Sequence, residues 1–336
     1  MKKNTTIHVA KFDCYKSSRI MMQSGWEENS IFLHLGVSEQ SVKLNFKNLL
    51  KVLDSSNSGD RFIFHAQSSL VYLLFSYALT FNRRETIKIL YDIHDLNVIP
   101  VGWGYVSLRA YVMQLLEWVT LRVLKIKSMT VSAGIARLMS MKYNCEIPIL
   151  VRNISTDIVR NQDMEKKSEG GKLIYFGTLD RVSEYFFLAL AKQKLRIDLF
   201  GRFNYMDPPI FFEKYTCTET AKFNGTYNPK NLDFLLEYDF LYYNIPPPDA
   251  NYRLAAPNKF FQALAHGLSI LVPRGYNELR FIFGDIPGAI AVIDESSDIR
   301  GVLNRCVRNK SSDFSVKIKE RLELMKSESR DNYKSL

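Results

Sequence analysis

The stretch RFIFHA, Arg61–Ala66, runs directly into QSSLVYLLFSYALTF, ending at Phe81. After the pair Arg83-Arg84 comes TIKILYDIHD, Thr86–Asp95. The first and third segments are β-branched or aromatic and near-continuously apolar in the middle. Such runs fit strands buried on both faces of a parallel sheet. The segment between them reads as an apolar helix from Ser69 to Phe81, with Arg83-Arg84 placed where positive charge suits the C-terminal end of a helix dipole. Strand, helix and parallel strand in that order define a βαβ unit.

Working outward, IHVAKF (Ile7–Phe12) predicts an earlier strand. A helical stretch follows from about Val106 to Lys127. SMTVSA (Ser128–Ala133) reads as a strand, Gly134 to about Tyr143 as a helix, and Ile147–Asn153 as a strand. From Ile154 to Gly171 the chain turns polar and charged and ends in Gly-Gly, which marks a linker. The alternation then restarts. KLIYFG, RIDLFG, AKFNG, FLYYNI, SILVP and AIAVI predict strands; SEYFFLALAK, NLDFLLEY and NKFFQALAHG predict helices. The fold class is therefore α/β, with two doubly wound, Rossmann-like domains facing a central cleft. The expected boundaries are 1–153 for the first domain, 154–171 for the linker and 172–298 for the second domain. A charged amphipathic helical stretch over 299–336 is expected to cross back to the first domain.

Length and composition agree. At 336 residues the chain exceeds one ordinary core, and its 46% hydrophobic and 24% charged content is globular. The four cysteines, Cys14, Cys145, Cys217 and Cys306, are far apart with no C-x-x-C pair. This excludes a zinc ribbon or disulfide scaffold and points to a reducing compartment. The net charge of +10 is uneven: residues 1–150 hold 18 Lys and Arg against 11 Asp and Glu, a balance of +7. A basic half implies an anionic partner. Nucleic acid is not indicated, because the cations are dispersed and no nucleic-acid-binding motif is present. The N-terminus lacks the apolar core of a secretory signal, and the run Leu70–Phe81 is too short to span a bilayer. The expected location is cytoplasmic, with attachment to the inner face of the plasma membrane from one side.

Ligands of open α/β sheets bind beyond the carboxyl ends of the strands. In the second domain, PNKFFQALAHG, Pro257–Gly267, starts a helix after proline and stops it at glycine. Lys259 lies in its first turn beside Asn258, and Gln262 lies one turn later on the same face. A lysine beside free helix N–H groups is suited to phosphate; by spacing alone the reading as a solvated charge comes first. Gly177 sits at a strand-end turn where backbone can approach a pyrophosphate. Arg181, Arg202 and Arg253 could clamp phosphate or be ordinary surface charges. Tyr242 and Tyr243 could line a base pocket or belong to the core, and His266 reads as a partner of the helix C-terminus.

This stretch resembles the donor-site signature of GT-B glycosyltransferases, P-x-K-x-x-E-x-x-A-x-G-x-P-[IV]. Pro257, Lys259, Ala265, Gly267 and Ile270 match, and the spaced loops YFGTL (Tyr175–Leu179), LFGR (Leu199–Arg202) and FNGTYNP (Phe223–Pro229, with Gly225) match as well. The resemblance implies a GT-B fold whose second domain binds a nucleotide-sugar as donor substrate, with no bound cofactor. Gly177, Arg181, Arg202, Gly225, Asn258, Lys259 and Gln262 would lie on the donor side. The family glutamate that meets the ribose is Gln262 here, a second acidic position falls at Leu254, and a family proline is Ser269.

In the first domain, His65 ends one predicted strand and His94-Asp95 end another. A carboxylate and an imidazole there could act as general base on an acceptor hydroxyl. The alternatives are an Asx cap by Asp95 and a core histidine at 65. Asp92 is expected to point away from the strand tip. GT-B proteins resembling this one carry an acidic or H-[DE] pair at this strand end. Asp95, His94 and His65 are thus the catalytic candidates. No D-x-D pair closes a strand, so no metal site is expected.

The segment Gly102–Lys127 combines Trp103, Tyr105, Tyr111 and Trp118 with Arg109, Arg122, Lys125 and Lys127. It reads either as a helix packed on the sheet or as one partly touching anionic lipid. The resulting expectation is a metal-independent glycosyltransferase of surface polysaccharide biosynthesis. Its partners would be a nucleotide-sugar, a glycan or lipid-linked acceptor, and an anionic membrane surface. The alternatives are a non-catalytic GT-B subunit supporting an active partner, or a sugar-nucleotide epimerase, which would need further carboxylates.

Overall fold

The computed structural model describes residues 4–11, 17–35, 42–83, 85–94, 108–154, 171–179, 184–203, 210, 213, 219–229, 231–245, 247, 253–254, 257–294 and 296–336. The chain divides into two units. The first comprises Met1–Ser155, Asp249–Ala255 and Met325–Leu336; the second comprises Thr156–Pro248 and Ala256–Leu324.

The first unit is a six-stranded parallel sheet formed by β1 (Thr6–Ala10), β2 (Ser30–His34), β3 (Arg61–His65), β4 (Lys88–Ile93), β5 (Ser128–Thr130) and β6 (Ile149–Leu150). Their spatial order is β2-β1-β3-β4-β5-β6, so the order of winding reverses between β1 and β3. Its helices are α1 (Ser18–Ser24), α2 (Val42–Ser55), α3 (Leu70–Leu79), α4 (Leu108–Trp118) and α5 (Ala133–Tyr143). Side chains alternate across the sheet. Phe62, Phe64, Tyr91 and Ile93 join the main core with residues of α2, α3 and α5. On the opposite face Ile63, Leu90 and Met129 pack with Val151, Tyr333 and Leu336.

The C-terminal residues are fixed to this opposite face by polar contacts as well. The Arg152 amide donates to Ser329 Oγ at 3.0 Å, and Asn332 Nδ2 donates to the Leu150 carbonyl at 2.9 Å. Lys88 Nζ donates to the Leu336 carbonyl at 3.1 Å.

The second unit is also a six-stranded parallel sheet, built from β7 (Leu173–Thr178), β8 (Ile197–Arg202), β9 (Ala221–Phe223), β10 (Phe240–Tyr242), β11 (Ser269–Pro273) and β12 (Ile290–Ile293). The order β12-β11-β10-β7-β8-β9 is that of a dinucleotide-binding sheet, with its switch point between β7 and β10. Its helices include α6 (Glu184–Lys192), α7 (Asn258–Ala265), α8 (Asn277–Phe283) and α9 (Ile299–Asn309). The last helix, α10 (Phe314–Ser335), begins in this unit and ends in the first.

Several details differ from the sequence reading. The segment between Asp13 and Asp60 adds α1, β2 and α2, which had no clear periodic signal. The helix expected up to Lys127 ends at Trp118 and continues as a π-helical turn, Val119–Val123. NLDFLLEY is a 3₁₀ segment, Asp233–Glu237, with Asn231 Oδ1 accepting from the Asp233 amide at its start. The charged C-terminal stretch is two helices, interrupted at Lys310–Asp313, and only its part from Met325 on belongs to the first unit. Asp249–Ala255, expected in the second domain, groups with the first. Its Leu254 side chain packs against Gly134 in α5; a Cβ built at Gly134 would lie 2.8 Å from Leu254 Cδ2. No helix among the described residues is long and apolar enough to cross a membrane.

Candidate functional site

The first unit places a row of polar side chains on one face of its sheet. His65 and Asp92 are directly opposed in the β3/β4 register, and His8 pairs with Ile63, one side-chain period before His65. Period-two alternation puts His94 on the same face as Asp92. The row is hydrogen-bonded throughout. His8 Nδ1 lies 3.0 Å from His65 Nε2, and His65 Nδ1 lies 2.9 Å from Asp92 Oδ2. His94 Nε2 lies 3.1 Å from the same oxygen.

Helix α1 closes over this row. Its N-cap is Ser17, whose side chain accepts from the Ile20 amide. Arg19 Nε donates to both Asp92 oxygens, at 3.0 and 2.8 Å, and Arg19 Nη2 also bonds Asp92 Oδ1. Arg19 Nη1 donates to the Val151 carbonyl at 2.5 Å, and Gln23 Nε2 donates to Asp92 Oδ2 at 3.1 Å.

The protonation pattern follows. Burial would raise the Asp92 carboxyl, but the Arg19 charge and the imidazole hydrogen bonds outweigh it and hold Asp92 well below the usual carboxylate range. An ionised Asp92 accepts, so Nδ1–H of His65 and Nε2–H of His94 donate. His65 is then a neutral acceptor at Nε2, and His8 donates Nδ1–H to it. Burial lowers His65 to about 4 and holds His8 well below the ordinary histidine range. His8 Nε2 is left buried without a partner.

This geometry revises two sequence expectations. Asp92 does not point away from the tip; it is the hub of the row. His65 is fully buried between His8 and Asp92, so it holds the row in place and presents no atom to an acceptor. His94 remains the partly exposed member. Asp95 lies outside the described residues. The only signal for Asp92 was a carboxylate within an otherwise apolar buried strand, which requires a partner. That the partner is Arg19, far away in sequence, was not legible.

His65, Asp92 and His94 offer ligand atoms within 4.8 Å of one another. They do not fit a metal ion. The Asp92 oxygens already accept from Arg19, Gln23 and both imidazoles, and the Arg19 guanidinium occupies the place of the compensating cation.

In the second unit, β7 and its neighbour β8 each carry a glycine near the carboxyl end. Gly177 (φ 134°) and Gly201 (φ 154°) are paired across β7 and β8. A Cβ at Gly201 would overlap the Gly177 carbonyl oxygen, and one at Gly177 would strike Lys259 Nζ. The sequence therefore keeps this backbone open next to a cation. Lys259 Nζ lies 4.7 Å from the Tyr175 ring centroid and 5.0 Å from that of Tyr243, the residue after β10, and donates to Tyr175 Oη at 3.4 Å. The two rings of the switch-point strands thus fix the ammonium against Gly177. Pro257 precedes α7, whose first-turn N–H groups lie beside Lys259. Together they bring a cation and free helix amides, groups suited to an anion, to the position where α/β sheets bind ligands.

Other predicted donor-side residues are dispersed. Asn258 and Gln262 are half-buried on α7, and Arg202 is exposed at the end of β8. Gly225 has φ 89° and open space at its Cβ position. Arg181 lies outside the described residues. Tyr242 and Tyr243 are buried core rings, although Tyr243 also supports Lys259. His266 Nδ1 lies 2.7 Å from the Gln262 carbonyl at the end of α7, as expected for a residue closing that helix. Leu254, where the resembling family has an acid, is an apolar contact of the first unit.

No family model matches the sequence, and no curated protein matches it. Solved structures do resemble the chain. HepE from Anabaena, solved with UDP and glucose, superposes with a TM-score of 0.65 at 10% identity, covering 100% of both chains. WaaG, a glycosyltransferase involved in lipopolysaccharide biosynthesis, gives 0.55 at 13% identity, covering 96% of this chain and 95% of WaaG. A UDP-N-acetylglucosamine 2-epimerase gives 0.53 at 12% identity, covering 99% of this chain and 95% of the epimerase. With two parallel six-stranded sheets and these neighbours, the chain has the two Rossmann-like units of the GT-B fold.

Proposed function

We propose that the protein is a glycosyltransferase that takes a sugar from a nucleotide-sugar to a glycan or lipid-linked acceptor. The observation that carries this reading is Lys259, held by Tyr175 and Tyr243 against the Gly177–Gly201 backbone at the start of α7. A pyrophosphate there would accept from the α7 amides and Lys259, which would stabilise charge developing on the leaving nucleoside diphosphate without a metal. Gln262, one turn along α7, would meet the ribose through its carbonyl oxygen. The UDP and glucose bound by HepE support a UDP-sugar as the first donor to try, and the pathway of WaaG supports a surface polysaccharide as the product class.

On the acceptor side the reading assigns His94, with Asp95, to deprotonating the acceptor hydroxyl. Asp92 fixes the orientation of His94 by accepting Nε2–H. The acceptor oxygen would give up its proton to the pair His94 and Asp95 as it attacks the anomeric carbon and the bond to the nucleotide phosphate breaks. His65, His8 and Arg19 are positioning residues behind Asp92.

The test is a thermal-shift panel of UDP, GDP, CDP and dTDP, followed by hydrolysis and transfer assays with the corresponding sugars. Stabilisation by one nucleoside diphosphate, lost in Lys259→Ala, is expected. No stabilisation by any of them, or the same response in the variant, would overturn the reading. Binding without turnover would favour the non-catalytic subunit, and release of a rearranged sugar would favour the epimerase.

A further inference from the structure

The outer face of α4 is apolar and uncovered. Leu108, Tyr111, Val112, Leu115 and Trp118 recur at helical spacing and are 79, 55, 45, 57 and 43% exposed. The opposite face is apolar too: Met113 and Leu116 pack on the main core, and Thr120 and Leu121 of the following π turn are buried. A helix that is apolar all round is ordinarily enclosed. Here the single acid of the helix, Glu117, is turned inward, accepting from Tyr91 Oη at 2.9 Å and Tyr143 Oη at 2.7 Å. The uncovered stripe is about 15 Å long at 1.5 Å per residue.

The charge beside the stripe identifies its occupant. At its C-terminal end a cleft of about 510 Å³ opens between the π turn and the end of α5, lined by Arg122, Lys125 and Lys127. Glu146 also lines it. Arg122 Nη1 donates to the Asn144 carbonyl at 2.7 Å, which fixes that guanidinium at the cleft wall. Lys125 has a left-handed backbone, φ 51°, unusual for a side chain of its kind. Between Asp95 and Glu146 the sequence holds six Lys and Arg and no acid except the buried Glu117. An exposed aromatic and aliphatic stripe ending in a cationic cleft is complementary to a bilayer surface: acyl chains against the stripe, lipid phosphates against the cations.

We infer that α4 and the Arg122–Lys127 cleft form a membrane-docking surface for anionic phospholipid. This deepens the acceptor side of the proposed function, and only the delivery of a lipid-linked acceptor rests on that reading.

The test is sedimentation of the full chain with phosphatidylcholine vesicles, with and without phosphatidylglycerol, in the absence of nucleotide. Binding to the anionic vesicles that weakens as salt rises is expected. Arg122→Gln/Lys125→Gln/Lys127→Gln should weaken it by about 100-fold, at about fivefold per cation. Tyr111→Ser/Leu115→Ser should weaken it at least about tenfold through lost apolar burial. Melting temperature checks the fold of both variants, and since their side chains protrude from the surface, at least one is expected to melt as the parent. Equal binding to both vesicle types, binding to neither, or undiminished binding by both variants would overturn the inference. Self-association abolished by the same substitutions, without vesicle binding, would assign the stripe to a second copy of the chain and overturn it too. A failed nucleotide panel with intact vesicle binding would remove the transferase reading and leave this surface standing.

Discussion

Replacing Arg19 by Met tests the physical account of the buried row. Arg19 is 3% exposed and Asp92 fully buried. The substitution keeps most of the apolar stem but removes every charge-assisted bond to Asp92 and the donor to the Val151 carbonyl. Breaking a buried pair on one side costs about 3–5 kcal/mol, because the remaining charge is uncompensated. Against a total of about 5–15 kcal/mol for a domain, that is a large fraction. At about 2–4 °C per kcal/mol the first unit should melt about 6–20 °C lower. The loss should shrink in acid, because without Arg19 only the imidazole and Gln23 hydrogen bonds oppose burial at Asp92, and its carboxyl takes up a proton more readily. Adding Asp92→Asn should recover part of the loss. The double variant should be more stable than the sum of the single effects by about 2–3 kcal/mol. The assay is thermal and urea unfolding by circular dichroism for the parent, both single variants and the double variant, at neutral and acidic pH. A loss below about 1 kcal/mol in Arg19→Met, or strict additivity, would refute the ion-pair account.

Stability of the first unit should fall as pH drops from about 6.5 to about 4. The unfolded chain protonates His8 and His65 at their ordinary value while the folded chain keeps them neutral, and His65 alone contributes up to about 3 kcal/mol across that window. Glu117, whose carboxyl is raised by burial, stays protonated longer in the folded state and opposes this trend; Glu117→Gln should steepen the acid loss, as read from urea midpoints against pH. Lys259→Ala should weaken nucleoside diphosphate binding by about 1.5–3 kcal/mol in titration calorimetry, the usual worth of hydrogen bonds to a charged group; unchanged affinity would place the phosphate elsewhere. Gln262→Glu should retain or improve that binding by restoring a charged acceptor, and a well-folded Glu variant without binding would remove the ribose contact. Gly201→Ala should lower the melting temperature of the second unit markedly, because its Cβ has no room beside the Gly177 carbonyl; a parent-like melt would contradict the observed β7/β8 approach.

Much of the fold was legible in local pattern. Near-continuously apolar runs such as Ile89–Ile93 and Ile270–Val272, set between helical segments, fit burial on both faces of a parallel sheet, so the α/β class and its two successive βα runs follow from the pattern along the chain. The Pro257–Gly267 helix carried its own start and stop signals, and the helix Asn258–Ala265 obeys them. What the chain could not disclose is long-range pairing. The partner of Asp92 sits 73 residues away in α1, the aromatic walls that hold Lys259 come from β7 and the end of β10, and Leu254 packs on α5. None of these has a periodic signature, since each depends on which strand lies next to which. The outward-facing stripe of α4 is the clearest case. Its residues read either as packed on the sheet or as partly touching lipid, and only the tertiary structure decided that the sheet takes the Glu117 side and leaves Leu108, Tyr111, Leu115 and Trp118 outside. The reason is physical: buried Tyr91 and Tyr143 hydroxyls need an acceptor, Glu117 supplies it, and that hydrogen bonding turns the helix.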